Sequence, residues 1–162
     1  MSISLEVLSE KGMVALGAAL GDDLTRPSLV LLRGDMGTGK TRFVQGLAKT
    51  LNVDNRVTSP TFLTVKEYPT PKGKFIHCDL YRVSSEHYLE EVGVLDDLEQ
   101  GAIVAIEWPG NYIVDMEIMV VEVEIRKGKT DASRWVTLEV CGSERPLSSV
   151  YRYSKSFSKA ST

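Results

Sequence analysis

The chain has 162 residues, 43% of them hydrophobic and 25% charged, with a formal net charge of −3 at pH 7. That length suits one domain with a proper core, and the composition is that of an ordinary soluble protein. No apolar run is long enough to span a membrane, and the charge argues against a broadly basic nucleic-acid-binding surface.

Met1 to Lys11 has neither the basic start nor the apolar stretch of a secretory signal. Cys78 and Cys141 are the only cysteines. They lack metal-site spacing and read as reduced residues, so a cytoplasmic protein is expected. Glu10 to Leu20 reads as a helix, with Met13, Leu16, Gly17 and Leu20 on one side, Ser9 as N-cap and Gly21 as stop. Leu29 to Leu32 reads as a buried parallel strand. Phe43, Val44, Leu47, Ala48 and Leu51 form the stripe of an amphipathic helix. Asn52 to Pro60 reads as a loop, Phe62 to Tyr68 as a strand, Pro69 to Gly73 as a turn and Lys74 to Cys78 as the second strand of a hairpin.

Short helices are expected at Glu86 to Val92 and Leu95 to Leu98, then an apolar strand from Ala102 to Ile106. Met119 to Arg126 and Trp135 to Val140 alternate apolar and polar residues around the turn Lys127-Gly128-Lys129-Thr130-Asp131, which predicts an antiparallel pair. From Gly142 to Thr162 the chain is Ser-rich and carries Arg145, Arg152, Lys155 and Lys159 against Glu144 alone. It reads as a flexible tail, or as a weak contact to RNA phosphates or a partner. The domain is expected to cover residues 1–141.

Gly34-Asp35-Met36-Gly37-Thr38-Gly39-Lys40-Thr41 fits G-x-x-x-x-G-K-[ST], the phosphate-binding P-loop, and lies between the predicted strand and helix that such a loop requires. Its three glycines permit backbone angles closed to other residues, so successive N–H groups can form an anion nest at a helix N-terminus. Asp35 to Arg42 are therefore the candidate nucleotide-binding residues. Lys40 adds a charge for the β- and γ-phosphates, and Thr41 offers an oxygen ligand suited to Mg²⁺.

A P-loop needs an acid to complete the Mg²⁺ shell, and Glu107 ends the strand beginning at Ala102. Trp108 follows, either as a wall of the nucleotide site or as a rim or core aromatic. A second acid, Asp79, ends the strand Phe75-Ile76-His77-Cys78. It could hold a metal-bound water, orient the attacking water, or cap the loop after it. His77 shares a strand face with Asp79 and reads as structural more readily than as catalytic. Ser59 and Thr61 lie where a nucleotide-sensing switch loop could sit, or in a simple helix-to-strand turn. Arg82 is a candidate for phosphate or for an acid on a partner. No arginine is placed by spacing as a catalytic finger, which predicts slow hydrolysis by the chain alone.

The P-loop, then Ser59-Pro60-Thr61-Phe62, then His77-Cys78-Asp79-Leu80-Tyr81-Arg82, then Glu107-Trp108-Pro109 resembles the TsaE (YjeE) family over about residues 5 to 140. The resemblance implies a single three-layer α/β P-loop NTPase domain with a mixed sheet, binding ATP and Mg²⁺. It implies an ATPase that serves threonylcarbamoyladenosine formation on tRNA by resetting a TsaB–TsaD complex, with tRNA reached only through those partners. On this likeness Lys40 and Thr41 serve phosphate and metal, Glu107 is the metal-side acid, Asp79 a second acid needed for activity and Trp108 the aromatic beside it. The chain departs from the family habit at Met36, Thr38, Gly110 and Met13. A nucleotide-gated switch without useful hydrolysis and a small-molecule kinase are the competing readings.

Overall fold

A computed structural model describes residues 1–54, 56–60, 64–85, 87–111 and 116–158, with 157 and 158 described in their backbone only. The elements run β1 (Ser2–Val7), α1 (Glu10–Asp23), β2 (Ser28–Arg33), α2 (Lys40–Thr50), β3 (Val65–Thr70), β4 (Gly73–Asp79), α3 (Tyr88–Glu91), α4 (Val94–Glu99), β5 (Ile103–Glu107), β6 (Met119–Lys127), β7 (Arg134–Cys141) and α5 (Ser148–Ser158). The expected strand start at Phe62 and helix start at Glu86 lie outside the described residues.

The seven strands form one mixed sheet in the order β1-β7-β6-β2-β5-β4-β3. Strand β2 is central and runs parallel to β5 and β6, and β4 runs parallel to β5. The β3–β4, β6–β7 and β1–β7 pairs are antiparallel. Side chains of a strand alternate between faces. Val30 and Leu32 therefore join Leu16, Phe43 and Leu47 in one core, while Leu29 and Leu31 join Ile76, Leu89 and Leu98 in a second on the opposite face. Helices α1, α2 and α5 cover the first face and α3 and α4 the second, which gives the expected three layers. Two-sided burial explains why β2 and β5 are almost wholly apolar.

Ser9 caps α1 by accepting the Gly12 N–H at 3.0 Å. Gly21 does not stop the helix, which continues to Asp23. A β-carbon there would lie 2.9 Å from the Thr50 β-carbon, so this glycine serves the close approach of α1 to α2. Gly17 and Gly46 serve it more strictly. A β-carbon on Gly17 would overlap the Phe43 carbonyl, and one on Gly46 the Val14 carbonyl. The two helices therefore pack backbone to backbone.

Two elements differ from expectation. Strand β1 was not among the expected elements, although Ile3, Leu5 and Val7 alternate with Ser2, Ser4 and Glu6 as a half-buried strand does. It pairs with β7 as an edge strand and buries Leu5 and Val7. The expected flexible tail carries helix α5, with Leu147 and Val150 buried. The carboxylate of Asp23 accepts the N–H groups of Ser149 and Val150 at 3.0 Å, and the Tyr153 hydroxyl donates to the Gly12 carbonyl at 2.7 Å. Composition missed this docking because the anchors, Asp23 and Gly12, lie more than 120 residues away in sequence.

Candidate functional site

The phosphate loop links the end of β2 to the start of α2. Gly34 has φ +151° and Gly39, the residue before α2, has φ +106°, angles that L side chains rarely adopt. A β-carbon on Gly34 would also press on the Ile125 carbonyl at 2.5 Å. The Asp35 carbonyl gathers the loop, accepting from the Thr38 N–H at 3.3 Å, the Thr38 hydroxyl at 2.8 Å and Lys40 Nζ at 2.9 Å. Lys40 Nζ also donates to the Gly34 carbonyl at 2.7 Å and lies 4.3 Å from the centre of the Trp108 ring. Burial holds the Lys40 pKa below its ordinary value, against the opposing pull of Glu107, Asp79 and Asp35.

Parallel pairing brings the acids to the same end of the sheet. Glu107 is in register with Leu32 of β2 on one side and with Asp79 of β4 on the other. The Thr41 hydroxyl donates to the Glu107 carboxylate at 3.2 Å. On its other side Glu107 Oε2 lies 2.6 Å from His77 Nε2, with the imidazole and the carboxylate both buried. Asp79 accepts the Tyr81 N–H at 3.0 Å and the Ser59 hydroxyl at 3.4 Å, so it caps the turn after β4 as well as facing the cleft.

These residues line a cleft of about 450 Å³. Met36, Gly37, Gly39, Lys40, Thr41 and Arg42 form one wall. Ser59, Asp79, Arg82, Glu107 and Trp108 line the cleft as well, with Glu107 against Thr41 and Trp108 against Lys40. Trp108 is thus part of the cleft and tilts against Tyr81 with ring centres 4.9 Å apart. Arg82 and Met36 are exposed at its rim, and Arg42 reaches Gln45 at 3.1 Å and Glu10 at 3.8 Å. The side chain of Thr38 turns into the protein and does not line the cleft, nor does Asp35. Thr61 lies outside the described residues.

Among the described residues no group of three or more His, Cys, Asp or Glu side chains could hold a metal ion by itself. What the cleft offers is one hydroxyl and one carboxylate side by side, Thr41 and Glu107. That donor set fits Mg²⁺, which takes few protein oxygens and completes its octahedron with phosphate oxygens and water.

The sequence did not signal two contacts. His77 partners Glu107 on the neighbouring strand, whereas the sequence set it only on the strand face of Asp79. Arg134, at the start of β7, donates from Nε to the Thr38 carbonyl at 3.0 Å and from Nη2 to the Gly37 carbonyl at 3.2 Å. No local pattern marks a residue that meets the loop across 96 positions.

A glycine-rich loop between a central parallel strand and a helix, facing acids at the ends of the two following parallel strands, defines an α/β P-loop protein. The comparison with known proteins narrows the class. The chain belongs to the TsaE family: the family model described as "Threonylcarbamoyl adenosine biosynthesis protein TsaE" matches residues 7–136. The family takes part in tRNA threonylcarbamoyladenosine biosynthesis. The TsaE of Aquifex aeolicus is 41% identical over 128 residues, which cover 74% of this chain and 91% of that protein. The TsaE of Mycobacterium leprae is 31% identical over 142 residues, 82% of this chain and 88% of that protein. The crystal structure of Bacillus subtilis YdiB superposes with a TM-score of 0.66 over all of this chain and 97% of that one, at 19% identity, so it speaks for the fold alone. Among the described residues no helix is long and apolar enough to cross a membrane.

Proposed function

We propose that the chain is a Mg²⁺-dependent ATPase of the cytoplasm that supports threonylcarbamoyladenosine formation by binding and resetting a TsaB–TsaD complex, meeting tRNA only through those partners. The observation that carries the reading is the convergence of Lys40, Thr41, Glu107 and Asp79 on one cleft. Family membership supports the pathway.

In this reading the loop N–H groups and the start of α2 bind the phosphates. Lys40 leaves the Gly34 and Asp35 carbonyls to pair with them. Thr41 and Glu107 hold the metal, which when bound neutralises charge on the transferred phosphoryl group. Asp79, fixed by Tyr81 and Ser59, orients the attacking water. Trp108 walls the cleft beside Lys40. Arg82 at the rim serves phosphate or a partner's acid, and Ser59 is placed to sense occupancy.

ATP turnover measured with and without purified TsaB–TsaD tests this. Slow turnover alone and strong stimulation by the pair are expected, and the absence of both would refute it. One observation favours a second reading, a nucleotide-gated switch without useful hydrolysis: both oxygens of Asp79 are already engaged. Single-turnover experiments separate the two, since a switch would stimulate its partners while ATP stays intact.

A further inference from the structure

The guanidinium of Arg134 spends its donors on four backbone carbonyls. Nε reaches Thr38 at 3.0 Å and Nη2 reaches Gly37 at 3.2 Å, both in the phosphate loop. Nη1 reaches Asp131 at 2.6 Å and Ser133 at 2.7 Å, both in the β6–β7 turn. Among the described residues no carboxylate forms an ion pair with it, so its hydrogen bonds go to these carbonyls.

Placement follows from the strand period. Val136, Leu138 and Val140 of β7 point into the core shared with α2, and Arg134, two residues before Val136, continues that row to the loop. The turn that delivers it is well braced. The Gly128 N–H donates to the Ser133 carbonyl at 2.9 Å, and the Thr130 N–H to the Ser133 hydroxyl at 3.0 Å. Ser133 itself is buried.

The consequence for the loop is directional. In a trans peptide the N–H points opposite to the C=O of the same unit. Holding the Thr38 carbonyl toward Arg134 therefore turns the Gly39 N–H the other way. Holding the Gly37 carbonyl sets the Thr38 N–H on its path across the loop to Asp35. A charged donor on the carbonyl also polarises the peptide and strengthens its N–H as a donor.

We propose that Arg134 is a positioning residue for the phosphate cradle, fixing the Gly37–Thr38 and Thr38–Gly39 peptides from outside the P-loop motif and adding positive charge behind them. It rests on the nucleotide reading above for the identity of the anion.

The test compares wild type with Arg134→Met and Arg134→Lys in two measurements. The first is amide hydrogen exchange with no nucleotide added. Exchange across residues 37–40 should quicken in Arg134→Met while the β6–β7 ladder keeps its protection. The second is calorimetric titration with MgATP and with MgADP. Dissociation constants should rise by about tenfold or more in Arg134→Met, the scale of one lost charged hydrogen bond, and by less in Arg134→Lys, which keeps the charge without the fork. Unchanged exchange with affinities within about twofold would overturn the proposal. So would equal loss of protection along all of β6 and β7, which would mark a merely structural role. If wild type binds no nucleotide, the ATPase reading fails, and the exchange measurement still decides whether Arg134 sets the loop.

Discussion

The imidazole of His77 meets the carboxylate of Glu107 at 2.6 Å, and on its opposite flank that carboxylate accepts the Thr41 hydroxyl. Glu107 is thus held between a strand neighbour and the first turn of α2. His77 Nδ1 is buried without a hydrogen-bond partner among the described residues, so the ring serves Glu107 through Nε2 alone.

Removing that donor should loosen the carboxylate. His77→Leu leaves a buried acid short of a partner, a loss of about 1–3 kcal/mol in stability. It should also raise the Mg²⁺ concentration needed for half-maximal ATP turnover. His77→Gln, whose amide reaches as Nε2 does, should restore most of both. Urea unfolding and a Mg²⁺ titration check the pair, and equal Mg²⁺ dependence in wild type and His77→Leu would reduce His77 to packing.

Lys40→Ala should cost at least about a hundredfold in ATP turnover, the scale of losing one preorganised donor to a reacting group. Glu107→Gln keeps size and one hydrogen-bond acceptor but loses the charge. It should fold normally and need far more Mg²⁺. Steady-state kinetics across Mg²⁺ concentrations check both, and an unaltered Mg²⁺ profile in Glu107→Gln would move the metal to Asp79.

The two cysteines should behave oppositely. Cys141 is exposed, whereas burial and the nearby Asp79 charge push the Cys78 thiol up to about 12. A thiol reagent at pH 8 should label one site in the native protein and two in denaturant. The raised value also sets a pH dependence. Between about 9 and 12 the folded chain keeps a proton that the unfolded chain has lost, so stability falls as pH rises through that window. Burial pushes Tyr153 up to about 12 in the same way, adding to the loss above pH 10. Cys78→Ala should flatten part of this alkaline decline in thermal melts.

Asp23→Ala removes the acceptor for the first N–H groups of α5. The expected cost is about 1–2 kcal/mol, that of a lost helix cap. The anchored end of the chain should then open, and limited proteolysis should cut between residues 142 and 158 before the rest. Wild-type resistance in that variant would show that Leu147 and Val150 hold the helix without the cap.

Gly46→Ala should be among the worst single changes in the fold, because its methyl group would overlap the Val14 carbonyl and α1 would have to move away. Ala at solvent-facing Lys49, in the same helix, should be nearly neutral. Melting temperatures of the two variants make the comparison, and a native-like Gly46→Ala would contradict the packing described.

The readable parts of this protein were those whose signal is local. The P-loop, β2, α2 and β5 announce themselves within a dozen residues, and Glu107 was legible because an acid has no packing reason to end an apolar strand. The hidden parts depend on distant partners. Strand β1 is an exception, since Ile3, Leu5 and Val7 alternate locally with Ser2, Ser4 and Glu6, and only its place at the sheet edge comes from β7. Helix α5 is Ser-rich and is held by Asp23. Gly21 looked like a stop because sequence shows that a residue is small without showing what presses on it. Arg134 and His77 were ordinary strand residues until the sheet order placed them beside the loop and the acid.

Trp108 has φ +57°, a backbone conformation unusual for a bulky side chain, and that turn sets its indole against the Lys40 ammonium and Tyr81. The chain has one other tryptophan, the half-exposed Trp135 on β7. In Trp135→Phe, all tryptophan emission would come from the ring beside the phosphate-loop lysine. Any event that draws that ammonium away would change the quantum yield at once, so the protein contains an intrinsic fluorophore for stopped-flow measurement of loop occupancy, without a dye and without a modified nucleotide.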